Sequence, residues 1–305
     1  MKTKTVEPAL VGLTQVAEIE LFILRRMKDL TLGPHASTVK GSGFDFVGVR
    51  DWEPGDRLSS IDWAQSSLTN FSPVITREFE QTSTATIIAA ADTSLSTRCG
   101  ARGITIASTV ARAIATVGLS SALLQDSFGL IAFDDKGRQR EWARPALGKP
   151  HVLYCLELYQ RQMSKRSGEE GPEVIDAIRH LRQASLVPVI SDFLFAGASD
   201  FIRRLAELNV VHDVFLVMVD ARFAFELPPV SAGWIDAIDV ETGRSRVVSR
   251  REFQRMGTRV LEWQDEIRRV ARDVDLEIVE VGIDPWQMET ALVQFMGDRR
   301  LQKVR

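Results

Sequence analysis

From Thr84 onward, short apolar runs alternate with longer helical patterns, and this alternation constrains the fold more than any other feature of the chain. Residues 86–91 form a near-continuous apolar run that ends in Asp92. Residues 104–124 are a long helical pattern rich in Ala, Ile, Val and Leu. Residues 127–133 read as a buried strand, with 138–143 able to pair beside it, and 150–163 read as a helix. After a polar linker at 165–171, residues 172–183 read as helical, with Pro172 suited to a first turn. A strand at 186–190 runs into Ser191-Asp192. A helix at 199–208, a strand at 210–219, a strand at 276–281 and a helix at 287–296 complete the series. Continuous apolar strands interleaved with helices are the pattern of a mostly parallel sheet covered on both faces. The expected fold is therefore an α/β domain with a mostly parallel sheet of five or six strands and helices on both faces.

Two segments break the alternation. Residues 227–250 read as an inserted β-hairpin at the sheet edge, with a turn at Glu241-Thr242-Gly243, and 253–270 then return as a helix. Upstream, Leu10, Leu13, Val16, Ile19, Phe22, Ile23 and Met27 recur at helical spacing until Gly33-Pro34 stops them. Residues 40–82 are punctuated by Gly41, Gly43, Gly48, Pro54, Gly55 and Pro73, with extended pieces at 44–49 and 74–79. The expected organisation is an N-terminal helix over 1–35, a small β module over 36–83 and the α/β domain over 84–305. Gly41-Ser42-Gly43 is no dinucleotide loop, because the third glycine and the phosphate-binding helix are both missing.

The 305 residues carry a net charge of −3, which argues against wholesale binding to nucleic acid or to an anionic membrane. Cys99 and Cys155 form no C-x-x-C pair, and His35, His151, His180 and His212 are scattered, so neither a disulfide framework nor a zinc site is expected. Residues 1–8 are not followed by the apolar core of a secretion signal. No run approaches the ~18 consecutive apolar residues of a membrane span. The expectation is a cytoplasmic protein without a membrane partner.

Ligand sites in open α/β sheets lie at the carboxyl ends of the strands, and two such ends here carry an aspartate, Asp92 and Asp192. The first reads Asp92-Thr93-Ser94-Leu95-Ser96. One carboxylate and two hydroxyls are hard oxygen donors that suit Mg²⁺ better than zinc. The D-x-S-x-S spacing resembles the metal-ion-dependent adhesion site of von Willebrand factor A (vWA) domains. That resemblance implies that Asp92, Ser94, Ser96 and Asp192 hold Mg²⁺ and that a partner's carboxylate fills an open position. The vWA pattern adds a threonine, yet no Ser or Thr occurs between Ser127 and Ser164. The loop expected to supply it, 144–149, offers Arg144 and Lys149, whose charges would oppose a cation. A purely structural reading stands beside this one, in which Asp92, Ser94 and Ser96 cap the following helix and satisfy loop amides. Haloacid-dehalogenase phosphatases also place an Asp here, but they need a second Asp where this chain has Ser94, so a metal-dependent hydrolase ranks last.

Residues 43–63 read Gly-Phe-Asp-Phe-Val-Gly-Val-Arg-Asp-Trp-Glu-Pro-Gly-Asp-Arg-Leu-Ser-Ser-Ile-Asp-Trp. This resembles the signature of the DUF58 family, with Arg50, Pro54, Gly55, Asp56, Ile61, Asp62 and Trp63 at matching places. Trp52 replaces the usual tyrosine, and Ser59 or Ser60 stands where an arginine is common. The resemblance extends over roughly residues 40–300. It implies a vWA-like, non-enzymatic adaptor that works beside a MoxR-type AAA+ ATPase in chaperone-like maturation of client proteins. Arg50, Asp51, Glu53, Asp56 and Asp62 are the candidate partner contacts. In the alternative reading, Pro54-Gly55-Asp56 is a turn, Asp62 binds backbone amides and Trp63 packs.

A basic cluster competes with the adaptor reading. Arg244, Arg246, Arg250, Arg251, Arg255 and Arg259 fall within sixteen residues, with Glu252 the only acid. Such a patch suits nucleic acid or an acidic protein surface. Phe253 alone interleaves it, so base stacking has little support.

Overall fold

The computed structural model describes residues 9–32, 45–54, 61–80, 84–101, 103–163, 171–226, 234–238 and 245–303. The chain divides into two compact units, Met27–Thr84 and the remainder.

The smaller unit takes in the end of α1 (Leu13–Leu32) and pairs β1 (Asp45–Asp51) with β2 (Ile75–Glu80) in an antiparallel ladder around the short helix α2 (Trp63–Leu68). Asp62 is its N-cap, accepting from the amides of Ala64 and Gln65 at 3.1 Å each. Ser66 Oγ, fully buried, accepts from the Ile75 amide at 2.8 Å and donates to the Asp62 carbonyl.

In the larger unit the chain runs β3 (Thr86–Asp92), the small hairpin β4 (Gly100–Ala101) and β5 (Ile104–Thr105), α3 (Ile106–Leu123), β6 (Ser127–Phe133), β7 (Gln139–Ala146) and α4 (Lys149–Met163). It continues through α5 (Val174–Arg179), β8 (Leu186–Ser191), α6 (Ala198–Leu208), β9 (Asp213–Val219), the hairpin β10 (Trp234–Ile238) and β11 (Ser245–Ser249), α7 (Arg250–Asp273), β12 (Ile278–Val281) and α8 (Pro285–Lys303). One six-stranded sheet has the order β12-β9-β8-β3-β6-β7. Every pairing in it is parallel except β6 with β7. The mostly parallel α/β fold expected from the alternation is present and is consistent with a vWA/Rossmann-like arrangement.

The apolar runs explain the layering. Ile88, Ala90, Ile131, Phe133, Val187, Val189, Leu216 and Met218 form one buried face with residues of α5, α6 and α7. On the other face α3 packs against α4 and α8. The four inner strands β3, β6, β8 and β9 are therefore buried on both sides, which is why their sequences are almost continuously apolar. The helix α3 is long and apolar enough, by length and composition, to cross a membrane, and 78% of it is buried inside the domain. Its N-terminus is fixed by a capping box between Thr105 and Ser108.

Three elements differ from the sequence expectation. The first helix starts at Leu13, and its Val16, Ile19 and Ile23 are buried. The helix expected at 172–183 is only Val174–Arg179, closed at His180. The hairpin expected at the sheet edge forms its own two-stranded sheet and does not join the central one.

Close approach of β6 and β7 demands a glycine. A methyl group on Gly129 would lie 2.9 Å from the Ala143 carbonyl oxygen and 3.1 Å from the Pro145 nitrogen, both backbone atoms. Gly129→Ala is expected to cost about 1–3 kcal/mol by forcing β7 away from β6, read as a lower urea midpoint with an unchanged m-value. An unchanged midpoint would contradict this packing.

Candidate functional site

The strand order brings the two aspartates together. From β3 the chain crosses to β6 and β7 on one side, then returns to β8 on the other. The crevice between β3 and β8 is thus a topological switch point, where open α/β sheets place ligands. Asp92 ends β3 and Asp192 follows β8, and Ala91 pairs with Ile190 between them.

Four side chains from these two strand ends form one hydrogen-bonded chain. Asp92 Oδ1 accepts from the Ser94 amide at 2.7 Å. The Ser94 and Ser96 hydroxyls lie 2.9 Å apart. Ser96 Oγ donates to Asp192 Oδ1 at 3.0 Å, and the same oxygen accepts from the Leu194 amide at 2.9 Å. Ser94 makes no side-chain cap to the 3₁₀ turn Leu95–Arg98 that follows. Its hydroxyl therefore points to its neighbours' oxygens and not to loop amides. Asp192 Oδ2 is buried with no hydrogen-bond partner. A buried carboxylate oxygen without a donor is costly, and a cation is one group that would satisfy it. The donor set is all hard oxygen, so it fits Mg²⁺.

The electrostatics point the same way. Burial pushes the Asp92 carboxyl up to about 6, against the hydrogen bonds from Ser191 and Ser94. Burial, and then the charge of Asp92, push Asp192 up to about 7. Two carboxylates out of water and next to each other hold their protons to higher pH than free carboxylates do, and a divalent cation would compete with those protons. Burial raises the Tyr159 hydroxyl as well, with the two carboxylates adding to it, and Cys99 is raised to about 11 by burial and Asp192.

Two participants escaped the sequence reading. Ser191 Oγ donates to Asp92 Oδ2 at 2.5 Å and accepts from the Phe193 amide at 2.7 Å. Tyr159 Oη, on α4, donates to the Asp92 carbonyl at 2.8 Å. A polar residue ending a buried strand was the available signal for Ser191. Tyr159 gave none, because an aromatic on a helical apolar face ordinarily reads as packing.

The charge objection to a metal falls. β7 runs antiparallel to β6, pairing Ala146 with Phe128 and Gln139 with Phe133, and Phe133 is level with Asp92. Arg144 thus lies toward the amino end of the parallel strands, roughly 13 Å of strand away from Asp92, and Lys149 begins α4 beyond that end. Lys149 Nζ is paired with Glu20 instead. The turn at the carboxyl end of β6 holds Asp134, which accepts from the amides of Lys136 and Arg138, and Asp135, whose charge acts on Asp92.

The remaining candidates belong to other surfaces. In the smaller unit Arg50 donates to the Asp51 carbonyl at 3.0 Å, and Asp51 and Glu53 are exposed. Asp62 is buried as the α2 cap, and Asp56 lies outside the described residues. Trp63, expected to pack, is instead 61% exposed. Of the basic cluster, Arg246 on β11 pairs with Glu252, while Arg250, Arg251, Arg255 and Arg259 are exposed along α7. Arg244 lies outside the described residues.

Uncharacterized proteins of Mycobacterium tuberculosis and Mycobacterium bovis are each 24% identical to this chain over 295 residues, spanning 92% of it and 88% of their own length. Among solved structures, a conserved hypothetical protein BatB from Bacteroides thetaiotaomicron matches 70% of this chain and 98% of its own, at 14% identity and a TM-score of 0.40. An aerotolerance-related membrane protein from Bacteroides fragilis, carrying multiple mutations to serines, matches 69% and 97%, at 14% identity and a TM-score of 0.39. The family model described as "Protein of unknown function DUF58" matches residues 48–268. With well over half of its length matched by that model, the chain belongs to the DUF58 family.

Proposed function

We propose that this protein is a non-enzymatic, cytoplasmic binding module in which Asp92, Ser94, Ser96 and Asp192 hold Mg²⁺ and the ion takes a carboxylate from a protein partner. The observation that carries this reading is the unpartnered, buried Oδ2 of Asp192, set in a chain of hydroxyls and carboxylates at the switch point of the sheet. When bound, Mg²⁺ would supply a positive centre with open positions for an outside oxygen. The protein's own side chains supply the anionic cradle. Asp92 and Asp192 bring charge, Ser94 and Ser96 bring neutral oxygens, and Ser191 orients Asp92. The family resemblance supports a MoxR-type AAA+ ATPase as the partner and maturation of client proteins as the task. The cytoplasmic setting is part of this proposal; α3, long and apolar enough to cross a membrane, is 78% buried in the fold.

Calorimetry tests the ion. Mg²⁺ titrated into the protein at pH 7.5 is expected to release binding heat, and Ser94→Ala or Ser96→Ala is expected to weaken binding by about tenfold or more, the order found for supporting groups of metal sites. Heat that is unchanged in both variants would remove these hydroxyls from the site. Affinity capture with the ATPase, with and without Mg²⁺, tests the partner. Capture that ignores both Mg²⁺ and Asp92→Ala would refute the ion-bridged mode.

A further inference from the structure

The turn that presents Asp192 is held from outside by one helix. Phe193, directly after Asp192, is a fully buried aromatic residue with φ of 56°, in the left-handed region. A bulky side chain adopts that conformation only when its surroundings hold it there. Two adjacent residues of α7 supply the hold. Trp263 Nε1 donates to the Phe193 carbonyl at 2.7 Å. Gln264, fully buried, spreads its amide nitrogen over two strand ends, donating to the Asp192 carbonyl at 3.2 Å and to the Val219 carbonyl at 2.8 Å. Gln264 sits in the stripe Val260-Gln264-Ile267-Ala271, which is otherwise apolar and packs on the sheet. A polar residue in such a stripe needs hydrogen-bond partners; its amide nitrogen finds them in the Asp192 carbonyl of the turn and the Val219 carbonyl at the end of β9, while its Oε1 has none.

We infer that Trp263 and Gln264 are positioning residues of the Asp92–Asp192 site: by bonding the carbonyls of Asp192 and Phe193, α7 fixes the turn that aims the Asp192 carboxylate at Ser96. Asp192 lies one residue beyond β8, which ends at Ser191, so its carboxylate is oriented by the turn that follows the strand. Inside the turn, the Phe193 amide goes to Ser191 Oγ and the Leu194 amide to Asp192 Oδ1. Both bonds require the backbone conformation that α7 clamps. Any displacement of α7 therefore displaces Asp192 before it reaches Asp92, which rides on β3 in the centre of the sheet. The significance of the clamp for metal rests on the Mg²⁺ reading above; the clamp itself does not.

Trp263→Phe removes one donor and keeps the ring, and Gln264→Met removes the other at similar volume. Two measurements on the full chain separate the possible failures. Hydrogen exchange without metal is expected to speed up at the Phe193 and Leu194 amides by about tenfold or more in each variant, while amides of β3 and β6 stay protected. Mg²⁺ titration is expected to show about tenfold weaker binding in each. Unchanged exchange at Phe193 and Leu194 overturns the inference. So does a uniform loss of protection over the whole sheet, because the residues would then be ordinary core supports. If the unmodified protein takes up no Mg²⁺ while the two amides respond as expected, the metal reading falls and the clamp stands.

Discussion

Asp192→Asn is expected to stabilise the metal-free protein at pH 7.5, raising Tm by about 4–8 °C, the equivalent of roughly 2 kcal/mol in a domain of this size. The carboxyl of Asp192 sits at about 7 and that of Asp92 at about 6 in the fold, both above the ordinary value of 3.8. Below pH 4 both groups are protonated in the folded and unfolded chain alike, so they do not affect stability. As pH rises through 3.8, the unfolded chain releases its protons while the fold retains them, and stability falls. The fall continues until the folded groups ionise, so the window runs from about pH 4 to 7. Asparagine at 192 removes one of the two groups and the repulsion on the other. The advantage of the variant is expected to vanish at pH 4. Mg²⁺ should raise the Tm of the unmodified protein at pH 7.5, do little at pH 5 where protons compete, and do nothing for Asp192→Asn. A variant less stable than its parent at pH 7.5 would show that the pair is not under charge strain.

The second large effect lies away from the site. Arg112 on α3 donates to Glu289 Oε1 on α8 from both Nε and Nη2, at 2.9 and 2.6 Å, and Glu289 is only 4% exposed. Arg112→Met leaves a buried carboxylate without its partner, which costs about 3–5 kcal/mol. Replacing both residues, Arg112→Met with Glu289→Leu, is expected to recover most of that loss, because the buried charge goes as well. Denaturant unfolding of the two single variants and the double variant gives the coupling directly. A double variant no more stable than Arg112→Met would show that the pair matters for its shape and not its charge.

The strands were legible because their environment is uniform. Ile87–Ala91, Val187–Ile190 and Val214–Val219 are buried on both faces, so their sequences carry one message. Asp92, Ser94, Ser96 and Asp192 were legible because polar residues at the ends of such strands stand out. Direction was harder to read. Residues 139–146 look like any strand, and nothing in them says that β7 runs back along β6 and carries Arg144 away from Asp92. Helix length failed at α5, where a favourable Pro172 start said nothing about how soon the sheet would require the turn at His180. Gln264 was hidden for the opposite reason. Its neighbours made α7 readable as a helix, and only the three-dimensional meeting of α7 with the end of β8 gives its amide a task.

The place of β3 between β6 and β8 also bears on how the chain reaches this state. Asp92 and Ser191, which bond across two neighbouring strands, are 99 residues apart, and Arg112 and Glu289 are 177 apart. β3 pairs with β6 about 41 residues on, but its other partner, β8, comes so much later that loop-closure entropy must be met before that pairing rewards it. Folding is therefore governed by non-local contacts, in the slow regime of parallel sheets. During that interval the apolar α3, already packed on α4 and the sheet, waits for α8 to cover its remaining side.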